Sequence, residues 1–187
     1  MTRVGTVRGV PGSWISPEMR ALQGAEYGEM RSLPIAANDI RRWAIAVYWP
    51  EPPPARFLSV PDDELVAPEE MNPFAWLTAA ALGAGGGAGS AVTGGAAGDR
   101  HSVEAALDVE PPATTHEINT ELGASYGDAP MRVGDVIHAV LSLVGYDERE
   151  GRHGLTLFTT TRATWTNQRG ELVKTHDRTF ARYSVAR

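Results

Sequence analysis

The chain contains no cysteine among its 187 residues, which excludes disulfide frameworks, Cys-ligated zinc and thiolate nucleophiles. Positive charge is also short: 17 Lys and Arg stand against 23 Asp and Glu, for a net charge of -6. Binders of nucleic acid need a basic face that displaces counterions from phosphates, so neither DNA nor RNA is an expected partner. Long hydrophobic runs are missing too. Met1–Gly12 has no apolar core of signal-peptide length, and the longest weakly polar run is broken by glycines, so no membrane span is expected and the cytoplasm is the expected location. No spacing suits a metal, and no glycine-rich turn sits between a strand and a helix with a following Lys, as a phosphate loop requires.

What is present fits one soluble domain over residues 1–187, since 42% of the residues are hydrophobic and no long polar block interrupts them. Ile40, Trp43, Ala44 and Val47 recur at helical spacing while Arg41 and Arg42 fall on the other face, which predicts an amphipathic helix from about Asn38 to Tyr48, capped by Asn38 or Asp39. It ends at Trp49, Pro50, Glu51, Pro52, Pro53 and Pro54, where prolines remove backbone donors and hold the chain extended. A second helix, apolar on most faces and therefore buried, is predicted from an Asn72 cap and Pro73 through Phe74, Trp76, Leu77 and Ala81 to Gly83. Residues 83–113 read as a flexible Gly/Ala-rich insertion, because Gly, Ala, Ser and Thr bury too little surface to offset ordering entropy.

Beyond it the pattern changes to strands over His116–Tyr126, Asp135–Tyr146, Leu155–Trp165 and Leu172–Tyr183, with turns at Gly127–Asp128, Asp147–Gly154 and Asn167–Gly170. A further strand is expected around Glu26–Leu33. Short connections make antiparallel neighbours of these strands, and a sheet wrapped around the buried helix hides both apolar faces. The expected class is α+β, an antiparallel sheet of about five strands around a helix.

Three local motifs then carry a resemblance. The first is Ile35–Tyr48 followed by Trp49, Pro50, Glu51, Pro52 and Pro53; the second is Val66, Ala67, Pro68 leading into Asn72, Pro73, Phe74, Ala75 and Trp76. The third, Pro130–Asp135 leading into a strand, weighs most, together with the Asn167, Gln168, Arg169, Gly170 turn. In this order they resemble the MaoC-like hot-dog dehydratases, especially the FAS1-like or MaoC N-terminal dehydratase branch, over Tyr27 to Tyr183 without the Gly-rich insertion. The resemblance implies a single hot-dog fold and chemistry on acyl thioesters. Active members carry an Asp and a His five positions apart just after the first short helix. In them the pair moves protons to and from water and the alpha carbon, while a helix N-terminus holds the polarised thioester carbonyl.

Here that place holds Trp49, Pro50, Glu51, Pro52, Pro53, Pro54, Ala55 and Arg56, with neither Asp nor His, so no catalytic residue is assigned. The histidines elsewhere are poor substitutes. His101 and His116 read as solvated, His153 lies in a charged turn, and strand alternation puts His138 and Asp135, like His176 and Asp177, on opposite faces.

For binding, the aromatic set Trp43, Tyr48, Trp49, Phe74 and Trp76 suits an acyl-binding wall, with core packing or a subunit interface as the plainer account. Arg162, Arg169 and Lys174 on the last hairpin could meet the phosphates of coenzyme A, with surface solvation as the plainer account.

The resemblance thus implies a non-catalytic hot-dog subunit that pairs with a catalytic MaoC-like chain in an (R)-specific enoyl-CoA hydratase or 3-hydroxyacyl-thioester dehydratase. Coenzyme A thioester is its substrate rather than a cofactor, and no cofactor is expected. The Ala-, Gly- and Arg-rich composition fits a high-GC bacterium. Actinobacterial relatives of this branch act on steroid side-chain thioesters, which makes a bulky steroid-type acyl group one expectation. The rivals are a self-sufficient homodimeric hydratase or thioesterase that uses Glu51, Asp62 or His153, and a CoA-thioester binding module without chemistry.

Overall fold

The computed structural model describes residues 12–75, 102–151 and 154–185. Its frame is one five-stranded sheet in the order β1-β3-β4-β5-β2, antiparallel throughout. The strands are β1 (Glu26–Arg31), β2 (His116–Tyr126), β3 (His138–Gly151), β4 (Gly154–Thr166) and β5 (Leu172–Tyr183). Among the described residues four helices accompany them: α1 (Pro17–Ala21), α2 (Ala37–Tyr48), α3 (Ala55–Leu58) and α4 (Val103–Ala106), with a 3-10 turn at Asp62–Glu64. No described helix is long and apolar enough to cross a membrane.

The predicted spacing on α2 is realised as burial: Ile40 and Ala44 are fully inaccessible and pack with Met30, Ala139, Leu141, Trp165 and Val173 from four strands. The helix begins one residue before Asn38, with Ala36 as its cap and no side-chain capping bond. The reason lies in the preceding residue: Ile35 exchanges backbone hydrogen bonds with Asp135 (2.9 Å) and Gly134 (2.8 Å), which fixes where the chain turns into the helix. Asn72, the expected cap, precedes a turn over residues 73–75, and its Oδ1 accepts the Phe74 N–H at 3.0 Å. The rest of the predicted second helix, Trp76 included, lies outside the described residues, as do residues 83–101 of the expected insertion.

Two boundaries differ from the sequence reading. β3 starts at His138 rather than Asp135, because Asp135 uses its carboxylate locally: Oδ2 accepts from Arg132 N (2.8 Å), and Oδ1 accepts from Gln168 Nε2 (2.9 Å) and Arg169 Nη1 (3.1 Å). The β3–β4 ladder then continues to Gly151 opposite Gly154, through residues expected to form a turn. A strap from the N-terminal segment holds this charged extension, as Ser13 Oγ and Trp14 N donate to Glu148 and Trp14 Nε1 donates to Leu155 O (2.9 Å).

Residues 102–113, assigned to the flexible insertion, contain an ordered element. Ser102 caps α4, whose Glu104 is completely buried and bonded to Arg182 Nη2 (2.6 Å), Arg182 Nη1 (3.0 Å) and the Tyr146 hydroxyl (2.7 Å). Composition misses this because a four-residue helix with one polar anchor has no periodicity to read.

Among the described residues the sheet ends in an open edge. All eleven residues of β2 are exposed, with Ile118, Leu122 and Tyr126 among the large apolar side chains in solvent. One side of β2 is paired with β5, so its outer side presents a row of backbone donors and acceptors to a further strand.

Candidate functional site

The motifs singled out in the sequence meet at one end of the core. Val66 bridges Arg132, and Ala67 N donates to Met131 O at 2.8 Å, so the second motif adds a short extended segment beside the third. The Asn167–Gly170 turn closes on Asp135 through Gln168 and Arg169, and Gln168 Oε1 accepts from Val136 N at 3.0 Å. Their work is architectural: they seat α2 and the Val66–Glu70 segment against the sheet.

Between those two elements lies an open cavity of about 760 Å³. α2 contributes Trp43, Val47 and Tyr48, and α3 contributes Arg56 and Phe57; Val66, Ala67, Pro68, Glu69 and Glu70 complete the lining. The Tyr48 and Phe57 rings lie 6.2 Å apart, and Phe57 is buried in the core while the Arg56 guanidinium rests 4.7 Å above its ring. Arg41 ties α2 to the 3-10 turn through Asp62 (2.8 Å) and Val60 O (3.4 Å). Lys174 pins the other wall: its Nζ donates to Glu69 O at 3.3 Å and faces the Trp165 and Tyr126 rings at 4.9 and 5.2 Å. Burial holds the Lys174 ammonium below its ordinary pKa, against the charges of Glu70 and Glu69.

The expected binding residues divide. Trp43 and Tyr48 line the cavity. Trp49 stands 78% exposed, outside it, and Phe74 is buried edge-on to Trp165 at 5.0 Å, where it serves the core. Trp76 lies outside the described residues. Arg162 grips Asp177 with two 2.7 Å hydrogen bonds, and Arg169 is shared between Asp135 (3.1 Å) and Glu171 (2.7 Å), so both guanidinium groups already have carboxylate partners. Sequence reading missed Val47, Arg56, Phe57 and the Val66–Glu70 wall as lining. Its one available signal was Phe57, three residues after the last proline, where an apolar side chain marks the return of the chain to the core.

No histidine lines the cavity among the described residues. His116 stacks on Tyr183 at 5.2 Å, and His138 meets Glu29 at 2.9 Å in solvent. His176 sits between Ala124 and Ala163 in the sheet, while its neighbour Asp177 engages Arg162 on the opposite face, as strand alternation requires. Burial first, then the charge of Lys174, keeps the His176 imidazole below its ordinary pKa. His101 and the His153 side chain lie outside the described residues. Of the acids considered as substitutes, Asp62 is held by Arg41 and Glu51 is exposed away from the lining. The cavity can therefore bind an apolar group with aromatic walls, but the described residues of its lining include no acid–base pair of the Asp–His kind.

Residues 21–176 match the family described as FAS1-like, dehydratase domain region. The chain belongs to that family. No curated protein matches this FAS1-like dehydratase-region chain. Among solved structures, it is similar to the ChsH1-ChsH2 complex from Mycobacterium tuberculosis, with TM-score 0.56 and 14% identity over 91% of this chain and 89% of the other. It is also similar to the C-terminally truncated HadBC (3R-hydroxyacyl-ACP dehydratase) complex from Mycobacterium tuberculosis, at TM-score 0.47 and 16% identity over 85% and 96% of the two chains. A MaoC-like dehydratase from Rhodospirillum rubrum follows, at TM-score 0.45 and 15% identity over 88% and 94%. The first likeness establishes the hot-dog fold of this family member, in agreement with its five-stranded antiparallel sheet.

Proposed function

We propose that this chain is the non-catalytic, acyl-binding hot-dog subunit of a heteromeric (R)-specific enoyl-CoA hydratase or 3-hydroxyacyl-thioester dehydratase. The observation that carries the reading is the cavity beside α2: it is aromatic and roomy, and the loop that would bring Asp and His to it holds Trp49, Pro50 and Glu51 instead. A cavity of about 760 Å³ is in the range of small-molecule sites and leaves space for a bulky acyl group, a steroid-type one included. Hydration needs one group to take a proton from water and another to protonate the alpha carbon, so the pair comes from a partner chain. The open β2 edge supports that partnership, because a second hot-dog sheet pairing there saturates its free backbone groups and covers Leu122 and Tyr126. The ChsH1-ChsH2 complex, to which the chain is similar in fold, agrees with this arrangement.

The test is co-expression with a MaoC-like chain that carries the Asp–His pair, followed by gel filtration and an enoyl-CoA hydration assay. A stable heteromer that hydrates bulky enoyl-CoA better than the partner alone supports the reading. A partner whose rate and substrate range are unchanged by this chain overturns it.

A further inference from the structure

Building on the acyl-thioester reading above, we propose that Arg56 is the contact for the phosphate of a pantetheine-linked thioester. Glu69 and Glu70, in turn, set the ligand's direction by repelling that phosphate from the Val66–Glu70 wall. Of the ten described residues that line the cavity, three carry charge: one cation, Arg56, and two anions, Glu69 and Glu70. The other cations nearby are engaged. Arg41 is paired with Asp62, Arg169 with Asp135 and Glu171, and Lys174 is turned under the wall onto Glu69 O. Among the described residues Arg56 meets the face of Phe57, at 4.7 Å, and no carboxylate, which leaves its guanidinium edges and their donors open to an anion.

Both the cation and the acidic wall are seated before a ligand arrives. Arg56 sits beside the buried Phe57, which anchors α3 in the core. The acidic wall is fixed by Ala67 N to Met131 O (2.8 Å), Met71 N to Pro68 O (3.0 Å) and the Lys174 contact, so the two carboxylates cannot retreat with their backbone. A phosphopantetheine-linked thioester is a rod with an anionic phosphate toward one end and an apolar acyl chain at the other. Coulomb attraction at Arg56 and repulsion at the Glu69–Glu70 wall place the phosphate toward α3 and leave Trp43, Val47 and Tyr48 for the acyl end.

The experiment measures binding of three octanoyl thioesters to the purified full chain by calorimetry: octanoyl-pantetheine, octanoyl-4′-phosphopantetheine and octanoyl-CoA. Arg56→Gln is expected to weaken the phosphorylated ligands by about five-fold, the size of one exposed charge contact, and to leave octanoyl-pantetheine unchanged. Glu69→Gln/Glu70→Gln is expected to tighten the phosphorylated ligands by a similar factor, with both effects shrinking in high salt. A loss confined to octanoyl-CoA places the nucleotide phosphates on Arg56. A loss shared with octanoyl-4′-phosphopantetheine assigns the phosphate common to coenzyme A and acyl carrier protein. Equal affinities of the wild type and Arg56→Gln for all three ligands, or equal losses for all three, overturn the proposal while leaving acyl binding intact. Failure of the wild type to bind any of the three overturns the underlying function as well. All three positions are exposed, so unchanged melting temperatures separate a charge effect from misfolding.

Discussion

Removing the Glu104 carboxylate should unfold this protein far more readily than removing any exposed charge. Glu104 is 0% and Arg182 4% exposed, and they share two hydrogen bonds of 2.6 and 3.0 Å. Tyr146 donates a third to the carboxylate, and Thr159 Oγ1 accepts a fourth from Arg182 Nη2 at 2.7 Å. Arg182 Nε is already buried without a partner, so Glu104→Ala would strand most of a guanidinium in the interior. Breaking a buried pair from one side costs about 3–5 kcal/mol. For a chain of this length, at about 2–4 °C per kcal/mol, that is a fall in melting temperature of roughly 10 °C.

Urea titrations of wild type, Glu104→Ala and the double variant Glu104→Met/Arg182→Met provide the measurement. The double variant should recover most of the loss, because it leaves no lone buried charge. The pH dependence has a definite sign. Burial pushes the Glu104 carboxyl up, but the hydrogen bonds and charge of Arg182, with the Tyr146 hydroxyl, pull it further down, below the ordinary value of 4.5. A lowered folded pKa gives stability that is fully present above the unfolded pKa and is lost as pH falls through the folded one. Wild type and Glu104→Ala should therefore converge in acid, below about pH 4.5, and differ most near neutrality. A loss under 1 kcal/mol at pH 7 would refute the reasoning.

Other sites give contrasting outcomes. At Gly127 an added Cβ would stand 2.1 Å from Leu172 O, a backbone atom that cannot swing away, so Gly127→Ala should cost about 1–3 kcal/mol by thermal melting. Phe57→Ala should cost about 3–5 kcal/mol, whereas Trp49→Ala, at 78% exposure, should leave the melting temperature within a degree or two. Leu122→Arg at the open edge should abolish heteromer formation in gel filtration without lowering the melting temperature of the isolated chain.

The strands were legible because alternation and turn residues are local: β2 and β5 run over the residues that the pattern indicates, His116–Tyr126 and Leu172–Tyr183. Where tertiary contacts decide, the sequence is silent. Asp135 reads as the start of a strand, yet its carboxylate is claimed by a turn more than thirty residues later, and β3 begins three residues on. The candidate site was half legible for the same reason. Trp43 and Tyr48 were legible by residue type, as members of the aromatic set, but Arg56, Phe57 and the Glu69–Glu70 wall reach the cavity through the path of a proline-rich loop and a non-local bridge, which no periodicity encodes. Arg162 and Arg169 illustrate the converse. Each is a plausible phosphate ligand by residue type, and each finds a carboxylate once the sheet forms.

The central claim is that this chain binds an acyl thioester and leaves the chemistry to a partner. Affinity and turnover measured on one sample of the purified chain test it most directly, with octanoyl-CoA titrated by calorimetry and trans-2-octenoyl-CoA hydration followed by absorbance. The expected result is saturable binding with hydration at the uncatalysed rate. Turnover by the chain alone that Glu51→Gln or His153→Ala abolishes would contradict it.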